Sequence, residues 1–209
     1  MPRPRISTNL AISADGKISS DPPQPSGWTS AADHARLMKL RETADALMIG
    51  HGTLEADRMT MTVPGKPIQP LRCVVSRTGR MDSKHPIFST PGGAIHWLVT
   101  GESEISQIPA VTIHRQSLME FLEELGTKFD VGHLHCEGGG QLIGELAALD
   151  VIDEFHLTLA GHTIFGGRQA PTASGVSEDF LPTTVGFELA DCQPSPDSGE
   201  CFLSYRRIR

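Results

Sequence analysis

The residues best suited to chemistry crowd into HLHCEGGGQLIGEL at 133–146, which opens with two histidines, a cysteine, a glutamate and three glycines together at 133–140. A metal is the first chemistry such a set suggests. If 131–136 is a strand, alternate side chains point to opposite faces, so His133 and His135 share a face and Cys136 takes the other. A three-ligand chelate therefore cannot form locally, and no metal is expected; the histidines and Cys136 read as scaffold. A phosphate site is the second. Glycines let backbone approach an anion, and a following helix presents amide donors and a positive dipole end. The run is neither G-x-G-x-x-G nor a P-loop, so a structural turn is an equal reading on these residues alone. Glu137, abutting the glycines at the strand's end, is the third.

Two other stretches put reactive types after apolar runs. Asp15-Gly16-Lys17 follows ISTNLAIS. It reads first as a turn, but a lysine held beside a cleft also contacts a substrate oxygen or stabilises developing charge. Gly50-His51-Gly52-Thr53, with Asp57 beyond it, reads as a strand-end loop offering a hydroxyl and a carboxylate, again turn chemistry by default. These loops converge on one edge if their strands run parallel, which is where open α/β sheets bind ligands. No G-x-S-x-G occurs, so a serine hydrolase is excluded. The adjacent acids Glu123/Glu124 and Asp153/Glu154 read as structural, and Arg206, Arg207 and Arg209 as a solvated strand end.

The elements that must position these residues follow from patterning. Residues 6–13 suit a buried strand, and SDPPQPSGW is a loop. Ser30 caps a helix with Asp33 in its first turn and Leu37, Leu40 and Ala44 at near-helical spacing. Further strands fall at 46–49, 71–76, 94–100 and 110–114. SLMEFLEELG (117–126) is an amphipathic helix with Leu118, Phe121, Leu122 and Leu125 on one face and Gly126 as its stop. A strand at 131–137, a helix to about Leu149 and a strand at 152–161 follow. Then FGGRQAPTASG is a loop, and 184–192 and 200–208 pair as an antiparallel hairpin. Alternating strands and helices with consecutive terminal strands imply an α/β sheet, mostly parallel with an antiparallel C-terminal hairpin. No linker splits the chain, so residues 1–209 read as a single domain.

The composition is 38% apolar and 21% charged over 209 residues, that of a globular protein. A net charge of -7 argues against a general nucleic-acid binder. The N-terminus lacks the apolar core of a signal peptide, and no run is long enough for a membrane helix, so the expected location is the cytoplasm. The four cysteines form no C-x-x-C pair; Cys192 and Cys201 face each other across the terminal hairpin as reduced thiols.

In order along the chain stand N-L-A-I-S-A-D-G-K (9–17), S-G-W-T-S-x-x-D (26–33), L-R-x-x-A-D-A-L-M-I-G-x-G-T-x-x-x-D (40–57), E-G-G-G-x-L (137–142) and I-D-E-F-H-L-T-L-A-G-x-T-I-F-G-G (152–167). Together they resemble the reductase domain of the riboflavin-biosynthesis deaminase/reductase and its free-standing pyrimidine reductase relatives. The deaminase half is absent, with no His-Ala-Glu and no Pro-Cys-x-x-Cys. The resemblance implies a dihydrofolate-reductase-like three-layer fold, NADPH as cofactor, a homodimer, and reduction of the ribosyl group of 5-amino-6-(5-phosphoribosylamino)uracil to ribityl. It implies a cofactor side of Ala11, Trp28, Thr53, Asp57, Gly138, Gly139, Gly140, Gln141 and Leu142. It implies a substrate side of Ser26, Arg41, Met61 and Glu137, with Arg41 on the phosphate. Lys17 and Glu137 then polarise the sugar and position the proton, and Asp57 orients them or the nicotinamide.

This chain departs from the family's pattern in one loop. Asp-Asp-Pro-x-Leu-Thr-x-Arg is replaced by Asp57-Arg58-Met59-Thr60-Met61-Thr62-Val63-Pro64. Pro64 stands where an arginine helps to hold the substrate phosphate, and Arg58 or Lys66 is the available substitute. Arg77, in a Ser-Arg pair where Asp-Ser is usual, suits a 2′-phosphate and hence NADPH. Two alternatives stay open: a reductase of a pterin, dihydrofolate-like or other carbonyl or imine compound, and a nucleotide-binding protein without turnover.

Overall fold

The computed structural model describes residues 3–20, 27–102, 108–176 and 181–208, so Ser26 and Arg209 lie outside the described residues. Its elements are β1 (Arg5–Ser13), α1 (Ala31–Glu42), β2 (Ala46–Gly50), α2 (His51–Asp57), β3 (Leu71–Ser76), α3 (Pro86–Ser89), β4 (Ile95–Val99), β5 (Val111–His114), α4 (Leu118–Thr127), β6 (His133–Cys136), α5 (Gly140–Ala148), β7 (Glu154–Ala160), β8 (Phe187–Ser195) and β9 (Glu200–Arg207). Among the described residues the strands form one nine-stranded sheet in the order β5-β4-β3-β2-β6-β1-β7-β9-β8. The pairs β1–β7, β2–β3, β3–β4 and β4–β5 are parallel, while β9 runs antiparallel to both β7 and β8. The mostly parallel sheet with an antiparallel C-terminal hairpin is thus the one the patterning predicts.

The chain divides into two compact units, Met1–Arg5 with Leu40–His135 and Ile6–Lys39 with Cys136–Arg209. In the first, β2 and β4 are apolar almost throughout, as strands buried on both faces must be. Leu47, Ile49, Leu54, Met61, Val74 and Trp97 form its core. Helix α4 buries Leu118, Phe121, Leu122 and Leu125, each worth roughly 1.5–3 kcal/mol. Its start is fixed by a capping box between Ser117 and Glu120. The same unit carries a polar chain from buried His96 and His114 to half-buried Glu124, in which His96 Nδ1 lies 3.0 Å from His114 Nε2 and His114 Nδ1 lies 3.1 Å from Glu124 Oε2. Burial pushes the His96 imidazole down, and neighbouring His114 adds to this.

In the second unit α1 starts as expected, with Ser30 Oγ accepting the Asp33 N–H at 3.2 Å. Its inner face is not the expected leucine stripe. Leu37 and Leu40 are only half-buried, and Arg41 is the one buried residue among those of the helix. Arg36 explains this. Its guanidinium donates to Leu157 O, Thr158 Oγ1, Leu203 O and Ser204 Oγ, and Asp33 accepts from Thr158 at 2.6 Å. The helix is fastened to β7 and β9 by hydrogen bonds, which require polar side chains on the inner face.

Two further expectations are corrected, and one helix is unexpected. The stretch 50–57 is not a loop but α2, because Leu54 is fully buried and draws the turn into helix. Gly126 lies inside α4, which runs one residue further and ends at the Lys128 C-cap. The short helix α3 went unread because its four residues are fewer than a helical period can mark; Pro86 at its first turn is its one local signal.

Candidate active site

The turn after β1 is built around Ser13. Its hydroxyl lies 2.6 Å from Asp15 Oδ1 and 3.1 Å from Lys17 O, and it accepts the Lys17 N–H at 3.0 Å. Gly16 closes the turn at φ +74, where a side chain would be strained. Asp15 then reaches across to the loop after β7, accepting the N–H groups of Phe165 at 3.3 Å and Gly166 at 2.8 Å. The Ser13 hydroxyl, opposed by desolvation, and then these amides hold the Asp15 carboxyl below its ordinary range. Lys17 points its ammonium at Ala170 O, 3.1 Å away, and its backbone bridges to Thr172.

The glycines after β6 divide their labour. Gly138 takes φ +91, and its peptide to Gly139 is cis. Gly139 is the N-cap of α5 and has no side chain with which to cap it. The amides of 140–142 precede the first intrahelical bond, from Ile143 N–H to Gly139 O. Gly140 is required by its own chain: a Cβ there would lie 2.5 Å from Thr172 O and 2.7 Å from Gly175 N. Gly144, one turn on, is pressed in the same way against Ser174 O. Segment 170–175 therefore touches Lys17 on one side and the start of α5 on the other, which brings the lysine and the glycine loop into one neighbourhood. Glu137 is half-buried ahead of the glycines, and Gln141 is exposed. Leu142 is 5% exposed, so its side chain belongs to the core and only its backbone can serve a ligand. Ala11 is half-buried on β1 beside Thr158 of β7, and Trp28 meets the Phe165 ring edge-on at 5.0 Å. Cys136 is inert, its thiol pushed up to about 12 by burial.

Arg41, Thr53, Asp57, Met61 and Arg77 all belong to the first unit. Thr53 and Asp57 are half-buried on α2, and Arg77 is exposed immediately after β3. Arg41 is buried against the following loop, with Nη1 3.5 Å from Thr62 O and Nη2 3.7 Å from Met59 Sδ. Met61 is a correction of kind: at φ +54 it turns its side chain wholly into the core, so only its backbone is available to a substrate. Lys66 is a second. Its ammonium caps the end of α1 through Glu42 O at 2.8 Å and Ala44 O at 2.6 Å, and this employment removes it as the substitute for the missing arginine.

His133 and His135 are buried in β6, with His133 Nδ1 3.0 Å from Thr43 O. Among the described residues no group of three or more His, Cys, Asp or Glu side chains is arranged to hold a metal, and no helix is long and apolar enough to cross a membrane. Sequence reasoning missed the anchoring role of Asp15, the contact of segment 170–175, and the buried carboxylate of Glu200. Only the first had a signal, a carboxylate in a strand-end turn beside a reactive lysine.

The sheet order and the terminal hairpin place the fold in the dihydrofolate-reductase-like class. Dihydrofolate reductase from Enterococcus faecalis superposes with a TM-score of 0.54 at 16% identity over 98% of this chain and 97% of that one. A diaminohydroxyphosphoribosylaminopyrimidine deaminase/5-amino-6-(5-phosphoribosylamino)uracil reductase from Thermotoga maritima superposes with a TM-score of 0.82 at 23% identity. That match covers 99% of this chain and 57% of the bifunctional one. The family model of the RibD C-terminal domain matches residues 4–194, and the chain belongs to that family. The 2,5-diamino-6-ribosylamino-4(3H)-pyrimidinone 5′-phosphate reductase of Archaeoglobus fulgidus is 29% identical over 201 residues, 86% of this chain and 89% of that protein.

Proposed function

We propose that this chain is a reductase of the riboflavin pathway that uses NADPH to convert the ribosyl group of 5-amino-6-(5-phosphoribosylamino)uracil, or its 2,5-diamino-pyrimidinone counterpart, into ribityl. The observation that carries the reading is the junction of Lys17 and the glycine loop through segment 170–175. A lysine fit to polarise a sugar oxygen is thereby set beside a backbone fit to receive a pyrophosphate. Family membership and the archaeal relative's name support the substrate class.

The residues fit the cofactor on structural grounds. Gly138 and Gly139 leave the approach to α5 without side chains, and the amides of its first turn suit an anion. Gly140, Gln141 and Leu142 supply those amides, Ala11 offers backbone to the nicotinamide end, and Trp28, Thr53, Asp57 and Arg77 complete the cofactor side. When bound, NADPH supplies the hydride. Lys17 steadies the developing charge on the sugar oxygen, its ammonium held by Ala170 O. Glu137 positions the proton, and Asp57 orients Lys17 and Glu137 or the nicotinamide. Arg41, backed by the Met59–Thr62 loop, binds the substrate phosphate, and Ser26 and the Met61 backbone are the further substrate-side residues of this reading. In this reading residues 1–209 serve as a single reductase domain, located in the cytoplasm. A homodimer is part of it, because β8 is an exposed edge strand that, among the described residues, pairs with β9 alone.

The test is NADPH oxidation with each ribosylaminopyrimidine phosphate and then with dihydrofolate. Oxidation with either phosphate is the expected outcome. Oxidation with dihydrofolate alone moves the substrate to a pterin, which Pro64 in place of a phosphate-holding arginine favours. Tight NADPH binding with no turnover would leave a nucleotide-binding protein. Sedimentation as a monomer would remove the dimer.

A further inference from the structure

Glu200 opens β9, and its carboxylate is buried completely. Oε1 accepts the Ser30 N–H at 2.8 Å and lies 3.5 Å from His162 Nε2; Oε2 accepts the Ser30 hydroxyl. Burial by itself raises this carboxyl's pKa, but the two Ser30 donors, His162 and Ser198 more than offset it and hold the group below its ordinary range. A buried carboxylate is costly unless it is compensated in this way. What the arrangement secures is Ser30, whose Oγ also accepts the Asp33 N–H at the start of α1. The helix begins there with its positive dipole end, which an anion stabilises.

Ser30 is two residues beyond Trp28, whose ring stands edge-on to Phe165. Phe165 is itself tied by its N–H to Asp15. Carboxylates thus anchor the backbone on both sides of the aromatic pair, Asp15 at Phe165 itself and Glu200 at Ser30, two residues from Trp28. His162, three residues before Phe165, leans on the same Glu200.

We propose that Glu200 is a positioning residue for cofactor binding, holding Trp28 against Phe165 by fixing Ser30; this rests on the reading of Trp28 as a residue of the cofactor side. Glu200 touches neither cofactor nor substrate. Its effect is to spare NADPH the ordering of the 27–30 segment.

The experiment compares the full chain with E200A, E200Q, S30A and W28F. NADPH KM, kcat and thermal melting are measured, with energy transfer from Trp28 to bound NADPH taken as the difference between the parent and W28F. E200A is expected to raise the NADPH KM about tenfold, leave kcat at saturating NADPH within about twofold and abolish most of the transfer. E200Q keeps an acceptor for the Ser30 N–H and recovers most of both signals. If E200A fails to fold, S30A carries the test, with a smaller KM increase and a partial loss of transfer. Should W28F raise the KM while E200A (or S30A in its place) leaves KM and transfer unchanged, the positioning role is overturned and the cofactor reading stands. Should W28F leave NADPH binding unchanged, the cofactor reading of Trp28 fails and takes this inference with it.

Discussion

The glycine loop at 137–144 and the loop at 58–70, each within its own unit, are held by opposite means. The first is fixed by backbone pressed on backbone: Gly140 and Gly144 meet Thr172, Ser174 and Gly175 with no room for a methyl group. The second is fixed by side chains reaching backbone. Gln69 binds both Val63 N–H and Val63 O, Arg72 donates to Thr60 O, Ile87 O, Thr90 O and Gly93 O, and Lys66 caps α1. A contact between backbones admits one residue type. A side-chain strut can be replaced by another strut. That is a physical reason why the glycine loop keeps the family's pattern while Asp57–Pro64 departs from it.

The largest effect should fall on chemistry beside the backbone-held loop. Lys17→Ala and Glu137→Gln are each expected to lower kcat by on the order of a hundredfold or more, with NADPH affinity within a few-fold, as steady-state kinetics and a binding titration will read. Near-normal turnover would sink their assignment. Next in size is Gly140→Ala, expected to cost about 1–3 kcal/mol or more in denaturant unfolding. Its control is Gly52→Ala on α2, where a Cβ meets nothing within 4 Å; it should be neutral or stabilising by up to ~1 kcal/mol. Equal destabilisation of both would break the contrast.

A third pair divides the side-chain-held loop itself. Arg41→Ala should raise the KM for the phosphorylated substrate about tenfold, while Lys66→Ala leaves that KM alone and costs roughly 0.3–1 kcal/mol of stability. A KM effect from Lys66 would return it to the substrate side. The smallest effect concerns acid. The Lys128 ammonium first, against a desolvation cost, and then Gln116 and His114 hold the Glu124 carboxyl down to about 2. Because its folded pKa lies below the ordinary 4.5, its stabilisation is complete above that pH and is lost as pH falls toward about 2. Glu124→Gln should flatten that part of the acid-unfolding curve, and an unchanged curve would remove Glu124 as its source.

The strands were legible because runs such as ALMIG and IHWLV have no other stable place than a covered sheet. Helix α4 was legible from Leu118, Phe121, Leu122 and Leu125, which recur at helical spacing and are all buried. Helix α1 was legible in its start but not in its face, because Arg36 reads as a solvated charge until β7 and β9 supply its acceptors. The same limit hid Glu200 and Arg72: a buried charge looks like a surface charge in sequence, and only the partner's position tells them apart. His96 and His114 were unreadable as a pair, since the β4–β5 register that joins them is absent from either segment alone. At the candidate site, residue types were legible and their modes of service were not. Met61 and Leu142 turned their side chains inward, leaving main chain to meet a ligand.

The contact of α5 with segment 172–175 carries a further consequence on the time axis. Thr172 and Gly175 exchange reciprocal N–H to C=O bonds of 3.0 Å under the surface of Gly140 and Gly144. Their amides sit in a segment without regular structure, where deuterium ordinarily enters fast. Here they should exchange on the slow schedule of the sheet, opening only when α5 lifts as a whole, so this short segment acts as a clock for the integrity of the helix above it.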